Sequence, residues 1–157
     1  MYYSKGKNKN LTKEQLLARI MKYCAYQERC VQEVEKKLND LGCEESLQEE
    51  LIEYLKEEKF LDEERFVKFY TSGKFRYNQW GKIKIRLGLR AKGIEEELIE
   101  KYIGQINPEE YTSVVKKLIQ KKKGSLSEED PFKAKAKVLN YVLGKGFEYE
   151  DVKSYLD

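Results

Sequence analysis

Seven bases stand between Lys74 and Lys92 without an acid among them: Lys74, Arg76, Lys82, Lys84, Arg86, Arg90 and Lys92. Phe75, Tyr77 and Trp80 are interleaved with them. Ammonium and guanidinium groups set among aromatic rings can hold the phosphates of a nucleic acid or dock in an acidic protein groove. A second acid-free stretch, Tyr111 to Lys123, carries Lys116, Lys117, Lys121, Lys122 and Lys123. Glu44 to Glu64 is the counterpart, with ten acids against Lys56 and Lys59. The net charge of +3 therefore hides a segregated pattern. Lys82, Arg86 and Arg90 recur at helical spacing beside Ile85 and Leu89. As a stripe of cations they repel by a few tenths of a kcal/mol per neighbouring pair, roughly. A helix needing only solubility would mix its signs, so this stripe is expected to face an anionic partner. Lys84 and Lys92 fall on other parts of the cylinder and are expected to contribute less. Trp80, next to Gly81, reads as a core residue at a helix junction more readily than as a platform for a base.

Other chemistries are excluded or unsupported. The chain contains no histidine. A Ser-His-Asp triad, a Cys-His pair and histidine metal ligation are therefore impossible. No Gly-rich phosphate loop is present. Cys24, Cys30 and Cys43 are odd in number and lack CxxC spacing, so buried reduced thiols are expected, with neither disulfide framework nor zinc site. The acidic segment would need a convergent pocket with shifted pKa values to act as an enzyme, and a solvated helix face seldom supplies one. No apolar run approaches the ~18 residues of a membrane span. The polar start has no apolar h-region behind it. The expectation is a cytoplasmic, non-enzymatic protein without cofactor, metal, membrane or small-molecule substrate.

The elements that position these residues read as helices. Thr12-Lys13-Glu14-Gln15 has capping-box form. Asp62 precedes two glutamates, and Asn107-Pro108 and Asp130-Pro131 each set an N-cap before a proline at the first helical position. Gly124 to Ser127 reads as a loop. Gly81 to Leu89 alternates like a strand, but internal repetition argues for helix. Gly42, Gly93 and Gly146 recur at a period of about fifty residues. Val34, Ile85 and Val138 stand eight residues before them. Leu38, Leu89 and Val142 stand four before, and Cys43, Ile94 and Phe147 one after. A left-handed glycine at C′, with the next residue packing back on the position four before the glycine, is the Schellman helix ending. Each glycine then closes a middle helix. In the second such helix Ile83 and Leu87 form a second apolar edge, for which packing against neighbours on both sides is expected. The chain reads as all-α, with about nine helices in three tandem three-helix repeats stacked into an elongated, curved array. The repeats are expected at 12–58, 61–104 and 108–157, after a polar tail at 1–11.

Several segments carry a family resemblance. Arg29-Cys-Val-Gln-Glu-Val-Glu-Lys-Lys-Leu38, with Gly42, resembles the R-x-x-x-E-L-x-x-K-L-x-x-x-G segment of the RecX family of bacterial recombination regulators. Phe60-Leu-Asp-Glu-Glu-Arg-Phe66 is similar to that family's Y/F-L-D-D-x-R-F junction. Gly81 to Ile94 resembles its second-repeat signature, and Lys137 to Phe147 its third. Cys30, Val34, Lys82 and Lys145 depart from the usual residues: a small hydroxyl, leucine, often proline and often arginine. The resemblance implies three tandem three-helix repeats. It also implies binding along the groove of the RecA recombinase filament on single-stranded DNA, with inhibition of its ATPase and strand exchange. The residues alone leave a second function open, direct contact of the basic repeats with phosphates of single- or double-stranded DNA.

Overall fold

Helix start signals in the sequence are met by the hydrogen bonds they predict. In a computed structural model, which describes residues 11–157, Thr12 Oγ1 accepts from the Gln15 amide at 3.1 Å, and Gln15 Oε1 accepts from the Thr12 amide at 2.9 Å. Asn107 Oδ1 accepts from the amides of Glu109 and Glu110, and Asp130 Oδ1 from those of Phe132 and Lys133. Each such cap satisfies amides that a helix start would otherwise leave unpaired, at about 1 kcal/mol apiece. Among the described residues the chain forms nine α-helices, a short 3-10 turn and no strand. The fold is all-α.

The described residues divide into two compact units, one ending at Phe69 and the other Tyr70–Asp157. The first holds α1 (Lys13–Tyr26), α2 (Val31–Asp40), α3 (Glu45–Glu57) and the opening of α4 (Glu63–Arg76). Leu16, Ile20 and Cys24 of α1 meet Val34 and Leu38 of α2 and Leu51 and Leu55 of α3 in one buried cluster. Full burial of each Leu, Ile or Val side chain favours the fold by about 1.5–3 kcal/mol. Arg65 fastens the junction to α4. Its Nε donates to Glu28 Oε1 at 2.7 Å, and both terminal nitrogens donate to the Lys59 carbonyl at 3.1 Å. Lys59 sits at φ 61°, a left-handed conformation costly for a residue with a Cβ. The guanidinium fork holds the carbonyl of that strained position. Asp62 Oδ1 accepts from the Arg65 amide, and Glu63 Oε2 from the Val31 amide at the start of α2. Part of the acidic segment is therefore committed to caps and pairs within this unit.

The second unit continues with the end of α4, α5 (Lys82–Ala91), α6 (Glu96–Ile103), α7 (Pro108–Ser125), α8 (Pro131–Gly144) and α9 (Tyr149–Val152). Gly42, Gly93 and Gly146 all take positive φ, at 80°, 75° and 98°. The Schellman bonds are present after α2 and α5: Cys43 donates to the Leu38 carbonyl at 3.0 Å and Ile94 to the Leu89 carbonyl at 3.2 Å. The apolar partners of the register are all buried, from Val34, Ile85 and Val138 to Cys43, Ile94 and Phe147.

Two expectations are corrected. Gly124 and Ser125 belong to α7, which caps only at Leu126. Ser125 Oγ donates to the Lys122 carbonyl at 2.9 Å, letting the helix run through a pair that reads as a loop. The second apolar edge of α5 is not covered by both neighbours: Ile83 is 41% exposed and Leu87 58%. The strand-like alternation of that helix is one buried edge, Ile85–Leu89, plus one left in solvent.

Candidate functional site

The basic region is organised by the start of α5. Its first amides find acceptors on the turn that ends α8: Gly81 donates to the Lys145 carbonyl at 2.8 Å and Ile83 to the Gly146 carbonyl at 3.0 Å. Lys82 donates its amide to the Tyr111 hydroxyl at 3.0 Å. A proline at 82 would lose that bond, so the departure at Lys82 from the resemblance serves a contact within the unit. Burial pushes the Tyr111 phenol up to about 12, opposed by that amide, so it stays protonated. Tyr111 packs between Phe75 and Phe147, with ring centroids 5.8 and 5.0 Å away. The approach of backbone to backbone requires glycine on both sides. A Cβ on Gly81 would fall 2.3 Å from the Gly146 carbonyl, and one on Gly146 2.4 Å from Lys84 Cβ.

This junction gathers lysines around Trp80. The Nζ atoms of Lys74 and Lys84 each lie 4.7 Å from the indole centroid. They are therefore within twice that distance of each other. Lys145 Nζ donates to the Asn78 carbonyl at 2.7 Å. Burial lowers the Lys145 pKa from its ordinary value, and the charges of Lys84 and Lys121 lower it further. Lys82 lies over the Tyr111 ring at 4.7 Å. Trp80 is half-buried beneath these cations rather than sealed in the core, contrary to the sequence expectation. The indole π-face attracts both ammonium groups. The arrangement can bind a polyanion, or the carboxylates of an acidic protein surface.

The arginines of the α5 stripe are differently employed. Arg86 makes a bidentate pair with Glu100 of α6, Nε to Oε1 at 2.7 Å and Nη2 to Oε2 at 3.1 Å, and lies 3.7 Å from Glu148. Arg90 pairs with Glu96 in the same forked way. Hydrogen bonding to these arginines depresses the carboxyls of Glu100 and Glu96 below the usual range. The signs that are unmixed along α5 are mixed across the helix pair. The argument from unrelieved repulsion therefore does not apply to Arg86 and Arg90. Of the remaining candidates, Arg76 is exposed at the end of α4 and Lys92 caps α5. Lys116 lies over Tyr155 at 4.9 Å and Lys122 over Tyr141 at 5.1 Å. Lys117, Lys121 and Lys123 are exposed on α7. Sequence reasoning omitted Lys145 from the site and gave Lys84 a minor part. The available signal was the adjacency of Lys145 to Gly146 and of Trp80 to Gly81, since the two glycines touch.

No group of carboxylates and thiols among the described residues is arranged to hold a metal ion. The three cysteines are buried. No helix among the described residues is long and apolar enough to cross a membrane.

The chain is similar to known proteins along most of its length. The family model described as RecX, second three-helix domain, matches residues 62–103, and that of the third three-helix domain matches residues 109–156. The regulatory protein RecX of Clostridium acetobutylicum is 32% identical over 124 residues, 76% of this chain and 57% of that protein. The RecX of Clostridium tetani is 32% identical over 127 residues, 80% of this chain and 58% of that protein. The chain thus spans little more than half the length of these curated relatives. A crystal structure of regulatory protein RecX superposes with a TM-score of 0.84 at 24% identity, covering 91% of this chain and 72% of that one. RecX from Lactobacillus salivarius superposes at 0.82 with 22% identity, covering 92% and 94%. These likenesses establish the fold, and the two domain matches and the relatives establish that the chain belongs to the RecX family of regulatory proteins.

Proposed function

We propose that this chain is a non-enzymatic, cytoplasmic regulator that binds the RecA recombinase filament and inhibits its ATPase and strand-exchange activities. RecX membership supports the reading. The observation that carries it is the lysine face around Trp80, where Lys74 and Lys84 lie over the indole and Lys145, in the field of Lys84 and Lys121, lies close by; among the described residues none of the four has a salt-bridging carboxylate such as Arg86 and Arg90 possess. A filament of recombinase on DNA offers acidic protein surface and phosphates side by side, both complementary to such a face. The repeats are proposed at 12–58, 61–104 and 108–157, and the lysine face draws on the second and third of them. A second reading, direct contact with DNA phosphates, is favoured by the exposed Lys117, Lys121 and Lys123 on α7. Binding of the chain to bare single-stranded DNA and to the same DNA coated with the cognate recombinase, at matched salt, separates the two. Tighter binding to the coated strand, with loss of ATPase activity, supports the filament reading. Equal or weaker binding to the coated strand supports the DNA reading.

A further inference from the structure

The first unit carries a second cationic site, where the sequence marks no binding residue. Arg29 lies in the turn between α1 and α2. Its guanidinium carbon stands 3.7 Å from the centroid of the Tyr23 ring, and its Nε donates to the Tyr23 carbonyl at 3.1 Å. Lys37 of α2 approaches the same ring at 5.6 Å. The aromatic face and the carbonyl together fix a planar charge that in solution would sample many rotamers. Beside it lies an open surface hollow, a cavity of about 360 Å³ broadly exposed to solvent, lined also by Arg19 and Lys22 of α1 and by Tyr26. None of the described residues lining it is acidic. Four cations face this hollow, and the nearby Glu33 carboxylate, which also acts on Tyr23, offsets their charge only in part. Tyr26 is 82% exposed, with its ring 6.0 Å from the Arg29 guanidinium carbon. A large ring left in solvent beside a fixed guanidinium offers a π-face on which a flat partner can stack.

We propose that this cavity binds one nucleotide of single-stranded nucleic acid. The base stacks on Tyr26 and the phosphate sits among Arg19, Lys22 and Lys37, with Arg29 as a fixed charge behind it. The chemistry favours this ligand over other anions. An acidic peptide would satisfy the cations and leave Tyr26 without a planar partner. A duplex keeps its base faces within the stack, and only a single strand can offer one. The proposal requires no recombinase; it rests on the reading of direct contact with DNA and places that contact on the first unit, where Tyr26→Ala tests it apart from binding by the second.

The test uses the full chain and a short fluorescent oligothymidylate, with an abasic strand of equal length and polyglutamate as comparison probes. Anisotropy gives affinities for wild type, Tyr26→Ala, Tyr26→Trp and Lys22→Glu, and circular dichroism checks the fold of each. Amide chemical shifts map the site on the labelled wild-type chain. Tyr26→Ala weakens oligothymidylate binding about tenfold and leaves the abasic strand unaffected. Tyr26→Trp restores binding, Lys22→Glu weakens both strands, and shifts appear at Arg19, Lys22, Tyr26 and Lys37. The proposal is overturned if the oligothymidylate does not bind, if Tyr26→Ala binds it as wild type does, or if the shifts are confined to the second unit. Polyglutamate binding that is as tight and equally sensitive to Tyr26→Ala also overturns it, in favour of an acidic protein ligand.

Discussion

Arg86 decides whether the α5 arginines are structural or functional. Its side chain is 23% exposed and that of Glu100 49%, and two parallel hydrogen bonds of 2.7 and 3.1 Å join them. A charged, bidentate pair with both partners buried would contribute about 1.5–3 kcal/mol. Solvent at Glu100 screens it toward the value of surface pairs, so the coupling expected is about 1 kcal/mol. Arg86→Met preserves most of the alkyl stem packing and removes the guanidinium. For a chain of this size that coupling corresponds to a fall in Tm of about 2–4 °C. The assay is a double-mutant cycle of Arg86→Met, Glu100→Gln and the pair, by urea denaturation followed through Trp80, the chain's one tryptophan. The pH dependence has a definite sign. The Glu100 pKa is lowered in the folded protein by its hydrogen bonds to Arg86. Its stabilisation is therefore fully present above the ordinary glutamate pKa and disappears as pH falls through the depressed value. A coupling of zero at neutral pH, or one that survives in acid, refutes the pairing with Glu100 and leaves Glu148 as the one carboxylate beside Arg86 among the described residues.

Other perturbations have equally specific outcomes. Gly146→Ala combines a positive φ with an overlap on Lys84 Cβ at 2.4 Å, and calorimetry should record a loss of about 2–4 kcal/mol. A loss below about 1 kcal/mol would mean that the α5–α8 contact yields freely. Thr71 is buried with no hydrogen-bond partner for Oγ1 among the described residues. Thr71→Val should raise stability by about 1 kcal/mol in denaturant titrations, and a destabilised variant would reveal a partner for the hydroxyl. Burial pushes the Cys24 thiol up to about 11, so it should resist thiol-modifying reagents at neutral pH until the chain is unfolded. Rapid labelling of Cys24 in the folded protein would contradict its position in the α1 core.

What could be read from the sequence was local chemistry and its repetition. Thr12, Asn107 and Asp130 announce helix starts because a cap is completed within three residues. Gly42, Gly93 and Gly146 announce helix ends because the Schellman turn is equally local. Pairing between helices was hidden. Arg86 meets Glu100 fourteen residues away on another helix, and charge counting along one segment cannot find that partner. Periodicity placed Ile83 and Leu87 together on α5, but only the packing of the neighbouring helices leaves that edge in solvent. Trp80 was misplaced because its neighbourhood is built from α4, α5 and the end of α8. The pocket around Arg29 is not legible in the sequence because its bases lie on two helices and the turn between them rather than in one run.

The central claim is that the Trp80 lysines, and not the α5 arginines, meet the regulatory partner. It is tested most directly by filament binding of Lys74→Glu/Lys84→Glu beside Arg90→Glu. Binding is measured on recombinase-coated single-stranded DNA at moderate salt, with folding checked by circular dichroism. The lysine double reversal should retain its helix content and weaken binding by more than about tenfold, while Arg90→Glu changes it little. If the lysine variant folds and binds the filament as tightly as wild type, or if Arg90→Glu alone abolishes binding, the assignment of the face is wrong.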